Sequence, residues 1–369
     1  MRFTRNAGTV LIAATLLLGA CGGDSNDPTT FDPAGMSDDF DAASGVFQAN
    51  FTGEVGANFD LVADRLATMT GGVAITASAN TLRSVVSDHR SSEARDSFTV
   101  AAKNLLRSRT AVSGSAVILP PELEGNTYVW DVGGSDYVLS DRTDAPDDGV
   151  RFVLYALDPV TDEPAAPLNE VGYLDLRDLS TASTDAARIV LVSQSVTWFD
   201  YQVAASGDES DGNVNVIGFV GSGNTRINFD LRNQFTSTVG SDRLDVDWEL
   251  EFPVVDLSLT YDIGFVDNAA GSSGEWSASL RGPNGYVDMT GLTADGDGTF
   301  SEEFAFEVNG EEFAVYSCAT GDEVCAFTNP AGEPLTAAEA ESLDRFWGFA
   351  EGGALISAFL MHPAGLFLF

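Results

Sequence analysis

Long stretches in which apolar and polar residues alternate constrain the fold of this chain more than any other feature. The clearest is residues 244–252, whose apolar members are Leu244, Val246, Trp248, Leu250 and Phe252. Residues 226–235 and 255–265 have the same period of two, which begins near Thr127. Side chains of a β-strand point alternately to the two faces of its sheet, so the pattern predicts antiparallel strands with one buried and one wet face.

Turn residues between the alternating segments predict how neighbouring strands pair. Asn309-Gly310 separates residues 300–308 from 311–317, and this dipeptide predicts a hairpin with a type I′ turn. The alternating set changes phase after Pro253, which predicts a bulge or bend there. Residues 187–203 are expected to form one strand of about 15 residues, near 50 Å long.

The strands at 226–234 and 244–252 are expected to form a second hairpin around Ser237-Thr238-Val239-Gly240. Both apolar sets share a face when Arg232 lies opposite Asp245 and Arg226 lies opposite Glu251. This register is a geometric prediction.

Helical spacing of apolar residues occurs near both ends of the chain. Between Met36 and Arg109 apolar residues recur every three or four positions, and residues 92–107 are the clearest helix. A second helix is predicted for residues 339–360, with its start near Thr336. Its half from Ala350 to Leu360 is unusually apolar and needs cover from a sheet face or from a partner.

Together these patterns predict a mainly β fold of the α+β class. We expect a large curved antiparallel meander or incomplete barrel of roughly ten to thirteen strands, with helices at both ends covering one face. Residues 36–118 are the expected helical N-terminal segment, and residues 119–369 the antiparallel β domain with its C-terminal helix. In architecture alone the outline resembles the incomplete barrels of lipoprotein carriers of the LolA/LolB type.

The first twenty residues have the pattern of a secretory signal. Arg2 and Arg5 precede an apolar run, Val10 to Leu18, which is too short to span a bilayer as a helix. The following Leu18-Gly19-Ala20-Cys21 resembles the lipobox of bacterial lipoprotein precursors; the alternative is an ordinary signal with a chance cysteine. The resemblance implies that Cys21 becomes the first mature residue and carries acyl chains, followed by a flexible tether through residue 35.

The chain is strongly acidic, with a formal net charge of -38. This charge excludes nucleic acid as a partner and disfavours electrostatic docking on anionic lipid, so membrane attachment must depend on the acyl anchor. Solubility or a salt-rich habitat explains the charge, and divalent cations or a cationic partner are alternatives.

Residues 295–303 resemble part of a calcium-binding EF-hand loop, but the ligand positions do not fit. With residues 144–148 and 208–212, they are predicted to be solvated turns, and no metal site is expected.

Cys318 and Cys325 flank a turn-like segment in a chain with a secretory signal. A disulfide between them is therefore predicted, with a stabilisation of roughly 2–3 kcal/mol in the chain-entropy model. A metal-binding or redox pair is the competing interpretation, and it lacks a nearby histidine and the CxxC spacing.

Residues for catalysis are scarce. The two histidines, His89 and His362, lie in no recognisable motif, and no GxSxG, HExxH or SxxK sequence occurs. Paired carboxylates for glycoside hydrolysis are expected by chance among 56 acidic residues. The five tryptophans are assigned mainly to the core, with a sugar-binding platform as the alternative. The sequence therefore predicts no enzyme and no cofactor.

Two functions from different classes are compatible with the sequence. The first is a lipid-anchored lipoprotein of the cell envelope, on the outer membrane facing the periplasm or the cell surface, that acts as a structural or interaction module. The alternative is a carrier for a lipid or another apolar ligand in the concave face of the sheet. A filled core would favour the first function, and a cavity of several hundred Å³ the second.

Overall fold

The computed structural model describes residues 31–51, 53–70, 119–207, 210–269, 271–296, 299–319, 326–347 and 349–350. Within these residues the protein is mainly β, as predicted, and consists of a curved, unclosed sheet of fifteen strands with three helices. The helix predicted at residues 92–107 and the segment from 351 to 369 lie outside the described residues.

Helix α1 spans Pro33–Phe51 and α2 spans Glu54–Thr70, while α3 spans residues 337–347 and includes residues 349–350. The strands are β1 Thr127–Asp131, β2 Asp136–Leu139, β3 Gly149–Tyr155, β4 Glu170–Asp178, β5 Asp185–Ser193, β6 Val196–Gly207, β7 Asp211–Val220, β8 Ile227–Thr238, β9 Ser241–Phe252, β10 Leu257–Asn268, β11 Gly271–Gly282, β12 Gly285–Gly296, β13 Thr299–Val308, β14 Glu311–Ala319 and β15 Ala326–Thr328.

Strands β3 to β15 form a meander in which each strand is antiparallel to the next. At the other end of the sheet β1 lies between β2 and β3, and β1 and β3 are parallel. The expectation of purely antiparallel pairing was wrong for this pair. The hairpin of β1 and β2 returns the chain to the end where β1 began, and β3 then starts from that end on the other side of β1.

The strands bury one set of alternating side chains under the helices, and we call this side the inner face. Across successive strands from β8 to β13 it carries a row of buried residues, namely Leu231, Trp248, Tyr261, Ala278, Met289 and Phe306. The opposite side, the outer face, carries the polar set that the alternation predicts.

The described helices pack on the inner face through aromatic side chains. In α1, Phe47 meets Phe252 at 5.0 Å between ring centroids, and in α2, Phe59 meets Phe199 at 5.4 Å. In α3, Trp347 lies edge-on to Phe304 at 4.5 Å. Burial of such large apolar side chains supplies most of the free energy that holds helices on a sheet.

Helix α1 begins at Pro33, within the segment expected to be a tether through residue 35. The carboxylate of Asp32 accepts hydrogen bonds from the backbone N–H groups of Ala34 and Gly35 at 3.2 and 3.1 Å. An aspartate N-cap followed by proline at the first helical position is a helix-start signal that the sequence contains.

The start of α3 was predicted correctly. The Thr336 hydroxyl accepts a hydrogen bond from the Glu339 N–H at 3.4 Å, and the Glu339 carboxylate accepts one from the Thr336 N–H at 2.8 Å. This reciprocal arrangement is a capping box, which satisfies backbone donors that have no partner within the helix.

The hairpin around Asn309-Gly310 is confirmed. Val308 pairs with Glu311, and Asn309 and Gly310 both have positive φ, at 53° and 83°. Positive φ at both central residues defines the type I′ turn.

The predicted register between β8 and β9 was wrong by two residues. Arg232 lies opposite Asp247, and Asp245 lies opposite Gln234. The turn is smaller than expected, because Thr238 pairs directly with Ser241 and leaves only Val239-Gly240 in the loop. A shift of two residues keeps every side chain on its face, so the alternation alone could not detect it.

The same register replaces the other predicted pair. Arg226 lies just before the first residue of β8, and Glu251 faces Asn228. The Asn228 amide donates a hydrogen bond to the Glu251 carboxylate at 3.2 Å, and Arg226 donates to the Asn228 side-chain oxygen at 2.8 Å. Asn228 therefore bridges the two groups that were expected to pair directly.

The single long strand expected at residues 187–203 is two strands. Val192 pairs with Thr197 and Ser193 with Val196 across the turn Gln194-Ser195, whose residues have φ of 50° and 64°. Neither residue is glycine, so the turn had no strong signal in the sequence.

Pro253 lies in the four-residue turn between Phe252 and Leu257. The change of phase predicted as a bulge or bend is therefore a turn between two strands, and not a bulge within one.

Candidate interaction surface

The inner face offers little room for a ligand where the described helices cover it. Phe47, Phe252 and Phe349 form a cluster with centroid distances of 5.0 to 5.7 Å. The Tyr261 hydroxyl donates a hydrogen bond to the Ala350 carbonyl of α3 at 2.6 Å. Side chains of the protein itself therefore fill the space beneath the described part of α3.

The tryptophans belong mainly to the core, as expected. Trp130 and Trp248 are buried, and the Trp248 indole N–H donates to the Asn233 side-chain oxygen at 3.1 Å. Trp198, Trp276 and Trp347 are partly buried and pack against the same core. Asn233 lies on the inner face of β8 among apolar residues and is the buried partner that the indole N–H requires.

Some buried polar groups on the inner face have no hydrogen-bond partner among the described residues. They include the Tyr201 hydroxyl, the Ser342 hydroxyl and the side-chain oxygens of Asn50 and Asn58. Burial raises the pKa of Tyr201, which stays a neutral phenol. The side-chain amide N–H of Asn50 donates a hydrogen bond to the Thr225 carbonyl at 2.6 Å. Asn50 therefore attaches α1 to the turn before β8.

The outer face is organised by arginine–carboxylate pairs. Arg151 binds Asp175 on the neighbouring strand through two hydrogen bonds of 2.6 and 2.7 Å, and its guanidinium lies over the ring of Tyr173. Arg188 makes a similar double contact with Asp200 at 2.8 Å. Of the ten arginines within the described ranges, all but Arg226 form an ion pair with a carboxylate; the others are Arg65, Arg142, Arg151, Arg177, Arg188, Arg232, Arg243, Arg281 and Arg345.

Carboxylates outnumber these arginines on β8 to β10 and face one another across the sheet. Asp230 lies directly opposite Glu249, and Asp247 lies directly opposite Asp262. Like charges directly opposite one another on a sheet are destabilising. The acidity of this face therefore opposes folding, which is consistent with a role in solubility or in attracting cationic partners.

The Asp-rich turn at residues 144–148 is bound by arginine and is not simply solvated. Asp148 accepts two hydrogen bonds from Arg177, at 2.8 and 2.7 Å, and this contact lowers the pKa of Asp148. Asp144 accepts a hydrogen bond from the Thr127 hydroxyl at 2.9 Å and contacts Arg151. In the described part of the chain no group of three or more His, Cys, Asp or Glu side chains could hold a metal ion.

The other residues singled out in the sequence cannot be placed. Cys21, Cys325, His89 and His362 lie outside the described residues, as do Asp297-Gly298 and residues 208–209. Cys318 lies in β14, but its side chain is not described. The disulfide and the lipid attachment therefore stay predictions.

The two edges of the sheet differ, a feature that the sequence analysis missed. At one edge β15 is only three residues long, and the neighbouring part of β14 carries the exposed Glu311 and Glu312. At the other edge β2 pairs with β1 alone among the described strands. Val138 and Leu139 of β2 are exposed by 41% and 60%, which is unusual for large apolar side chains in an edge strand.

Backbone groups of β2 point to the open side. The Ser140 N–H donates to the Thr127 carbonyl at 2.9 Å. In an antiparallel pair the bonded residues alternate, so the backbone groups of Val138 also bond to β1, while the backbone groups of Tyr137 and Leu139 point away from β1. The outward N–H of Tyr137 donates to the carboxylate of Asp136 at 2.8 Å. Among the residues that the structure describes, the Leu139 N–H and the carbonyls of Tyr137 and Leu139 have no partner and are the strand groups left for another chain.

The fold defines a class of protein: a large, open, mainly antiparallel sheet whose inner face packs against helices of the same chain. Comparisons with the profiles of known protein families, with curated proteins and with solved structures give no match. Among the helices described here, none is both long and apolar enough to cross a membrane.

Proposed function

We propose that this protein is a lipid-anchored lipoprotein of the bacterial cell envelope that acts as a non-enzymatic structural or interaction module. The observation that carries the proposal is that side chains of the protein fill the inner face beneath the described helices. Phe47, Phe252, Phe349 and Trp347 occupy the space in which a carrier would hold its ligand. Contacts with partners are then left to the outer face and to the edges of the sheet.

The proposed location depends on the lipobox resemblance of residues 18–21. Two or more acyl chains on Cys21 would anchor the protein stably, and the polar, acidic outer face would keep the sheet away from anionic lipid. The proposed site is the outer membrane, on its periplasmic or cell-surface side. The predicted disulfide between Cys318 and Cys325 fits such an oxidising compartment.

Metabolic labelling with a palmitate analogue, followed by membrane fractionation, tests the anchor. The unmodified protein should incorporate the label and sediment with membranes, whereas Cys21→Ser should lose both properties. Cys318→Ser is the matched control and should keep the label. Labelling of Cys21→Ser, or a soluble unmodified protein, would contradict the proposed anchoring.

Native mass spectrometry of the protein released gently from membranes tests the carrier alternative. The proposal expects the mass of the acylated chain without an additional ligand. A stoichiometric lipid or other apolar adduct that survives in Cys21→Ser would instead favour a carrier, because the anchor itself could not account for that mass.

A further inference from the structure

We propose that the open edge of β2 binds an extended, basic segment of a partner protein, which adds to the sheet as a further strand. The inference rests on the proposed function as an interaction module and names the surface and the kind of partner. In strand addition, backbone hydrogen bonds to an exposed edge supply affinity, and side chains alternating along the strand supply specificity.

The two edges of the same sheet differ in how they are protected. Short strands and charged residues are the usual protection against unwanted pairing, and the edge at β14 and β15 has both. The β2 edge is also short, but it exposes Val138 and Leu139 beside three outward backbone groups, the Leu139 N–H and the carbonyls of Tyr137 and Leu139. Val138 and Leu139 place apolar side chains on both faces of β2, where the side chains of an added strand could pack against them.

Exposed carboxylates lie near the β2 edge. The exposed Asp131 ends β1 at the turn of the hairpin, where its carboxylate accepts hydrogen bonds from Gly133 and Gly134. The exposed Asp141 follows β2, and the Asp136 side chain is 46% exposed beside Arg65. Lysine or arginine side chains of an added strand would meet these carboxylates. A second copy of this chain would bring a further net charge of -38 to the same edge, so the complementary occupant is basic.

The β2 edge and the start of α1 lie at opposite ends of the sheet. Phe31, just before α1, packs against Phe313 of β14 at 4.5 Å, so the chain from Cys21 enters the fold near the opposite edge. Ten residues extend at most about 36 Å. Thirteen strand spacings separate β14 from β2, or roughly 60 Å along the curved sheet at about 4.8 Å each. An anchor at Cys21 would therefore join the fold at the edge opposite β2.

Binding of two synthetic peptides to the full-length protein in mild detergent tests the proposal. The probe is acetyl-Arg-Arg-Val-Thr-Val-Thr-Arg-Arg-amide, and its matched control has the two central residues replaced by proline. Both peptides have the same charge, but proline cannot donate to a strand ladder. Leu139→Pro removes the outward N–H and preserves the bonds from Val138 to β1, whereas Leu139→Ala shortens the side chain and keeps the N–H.

The probe should bind the unmodified protein and Leu139→Ala. Its affinity for Leu139→Pro should be lower by a factor of about ten or more. It should also slow hydrogen exchange at the Leu139 amide of the unmodified protein, which needs no variant that might misfold. Absence of binding, equal binding of the proline peptide, or unchanged exchange at Leu139 would overturn the proposal. A dimer without peptide that Leu139→Pro dissociates would assign the edge to a second copy. These outcomes are independent of acylation at Cys21, so the two proposals fail separately.

Discussion

At the scale of single residues, Gly291 shows how closely the inner face is packed. It lies opposite Trp276 on β11 and opposite Phe304 on β13. A Cβ atom at position 291 would lie 2.3 Å from the Phe304 ring and 2.3 Å from the Glu303 carbonyl oxygen. The missing side chain therefore makes room for the Phe304 ring, against which Trp347 of α3 packs.

Gly291→Val should lower the free energy of unfolding by about 1–3 kcal/mol, because the added atoms overlap a ring and a backbone oxygen. Urea denaturation gives the measurement. Gly45→Ala is the matched control: Gly45 is exposed inside α1 with nothing within 4 Å of an added Cβ, so alanine should stabilise by roughly 0.5–1 kcal/mol. Equal stability of Gly291→Val and the unmodified protein would mean that Phe304 can move aside without loss.

At the scale of secondary-structure elements, local interactions decide where α3 and the turn before β3 begin and end. The capping box of Thr336 and Glu339 fixes the start of α3, whose aromatic residues pack against Phe304 of β13 and Phe252 of β9. The pair of Asp148 and Arg177 attaches the turn at residues 144–148 to β4. Both devices use residues near one another in sequence or on adjacent strands.

Thr336→Ala should lower the free energy of unfolding by about 1 kcal/mol, the usual cost of losing an N-cap side chain. Thr336→Ser keeps the hydroxyl and should stay within a few tenths of the unmodified value. Denaturant titrations of the three proteins make the comparison. If serine and alanine cost the same, the methyl group of Thr336, and not its cap, contributes the stability.

The contribution of Asp148 to stability should depend on pH. Arg177 lowers the pKa of folded Asp148, while an unfolded aspartate titrates near 3.9. The stabilisation is therefore present above about pH 4 and is lost as the pH falls through the folded pKa. Asp148→Asn should be less stable than the unmodified protein at pH 6, and the difference should shrink as the pH falls below about 4.

The measurement is the free energy of unfolding across this pH range for both proteins. Asp147→Asn is the matched control, because Asp147 is exposed in the same turn and forms no ion pair among those described. A difference between Asp148→Asn and the unmodified protein that is constant with pH would show that the Arg177 contact does not depend on the carboxylate charge.

At the scale of the whole molecule, the sheet combines an apolar inner face, an acidic outer face and two different edges. The inner face holds the described helices, and the outer face carries pairs of carboxylates such as Asp247 and Asp262 directly opposite one another. A net charge of -38 on 369 residues makes self-repulsion a property of the entire fold.

Raising the NaCl concentration should therefore increase the thermal midpoint of unfolding, because salt screens repulsion between exposed charges. Scanning fluorimetry across a series of NaCl concentrations measures the shift. Calcium chloride at matched ionic strength is the control and should give no additional increase. A larger increase with calcium would instead indicate a divalent-cation site, the alternative explanation for the acidic composition.

Elements with local signals could be predicted from the residues alone. Alternation placed most strands and assigned their side chains to faces, Asn309-Gly310 specified its turn, and Thr336 marked the start of α3. The tertiary structure decided the pairing: the two-residue shift of Arg232 to face Asp247, the turn at Gln194-Ser195, the parallel contact of β1 with β3, and the open β2 edge. The reason is physical, since a period of two fixes the face of a side chain but not its partner. Turn size and the packing of neighbouring strands select among registers that bury the same residues.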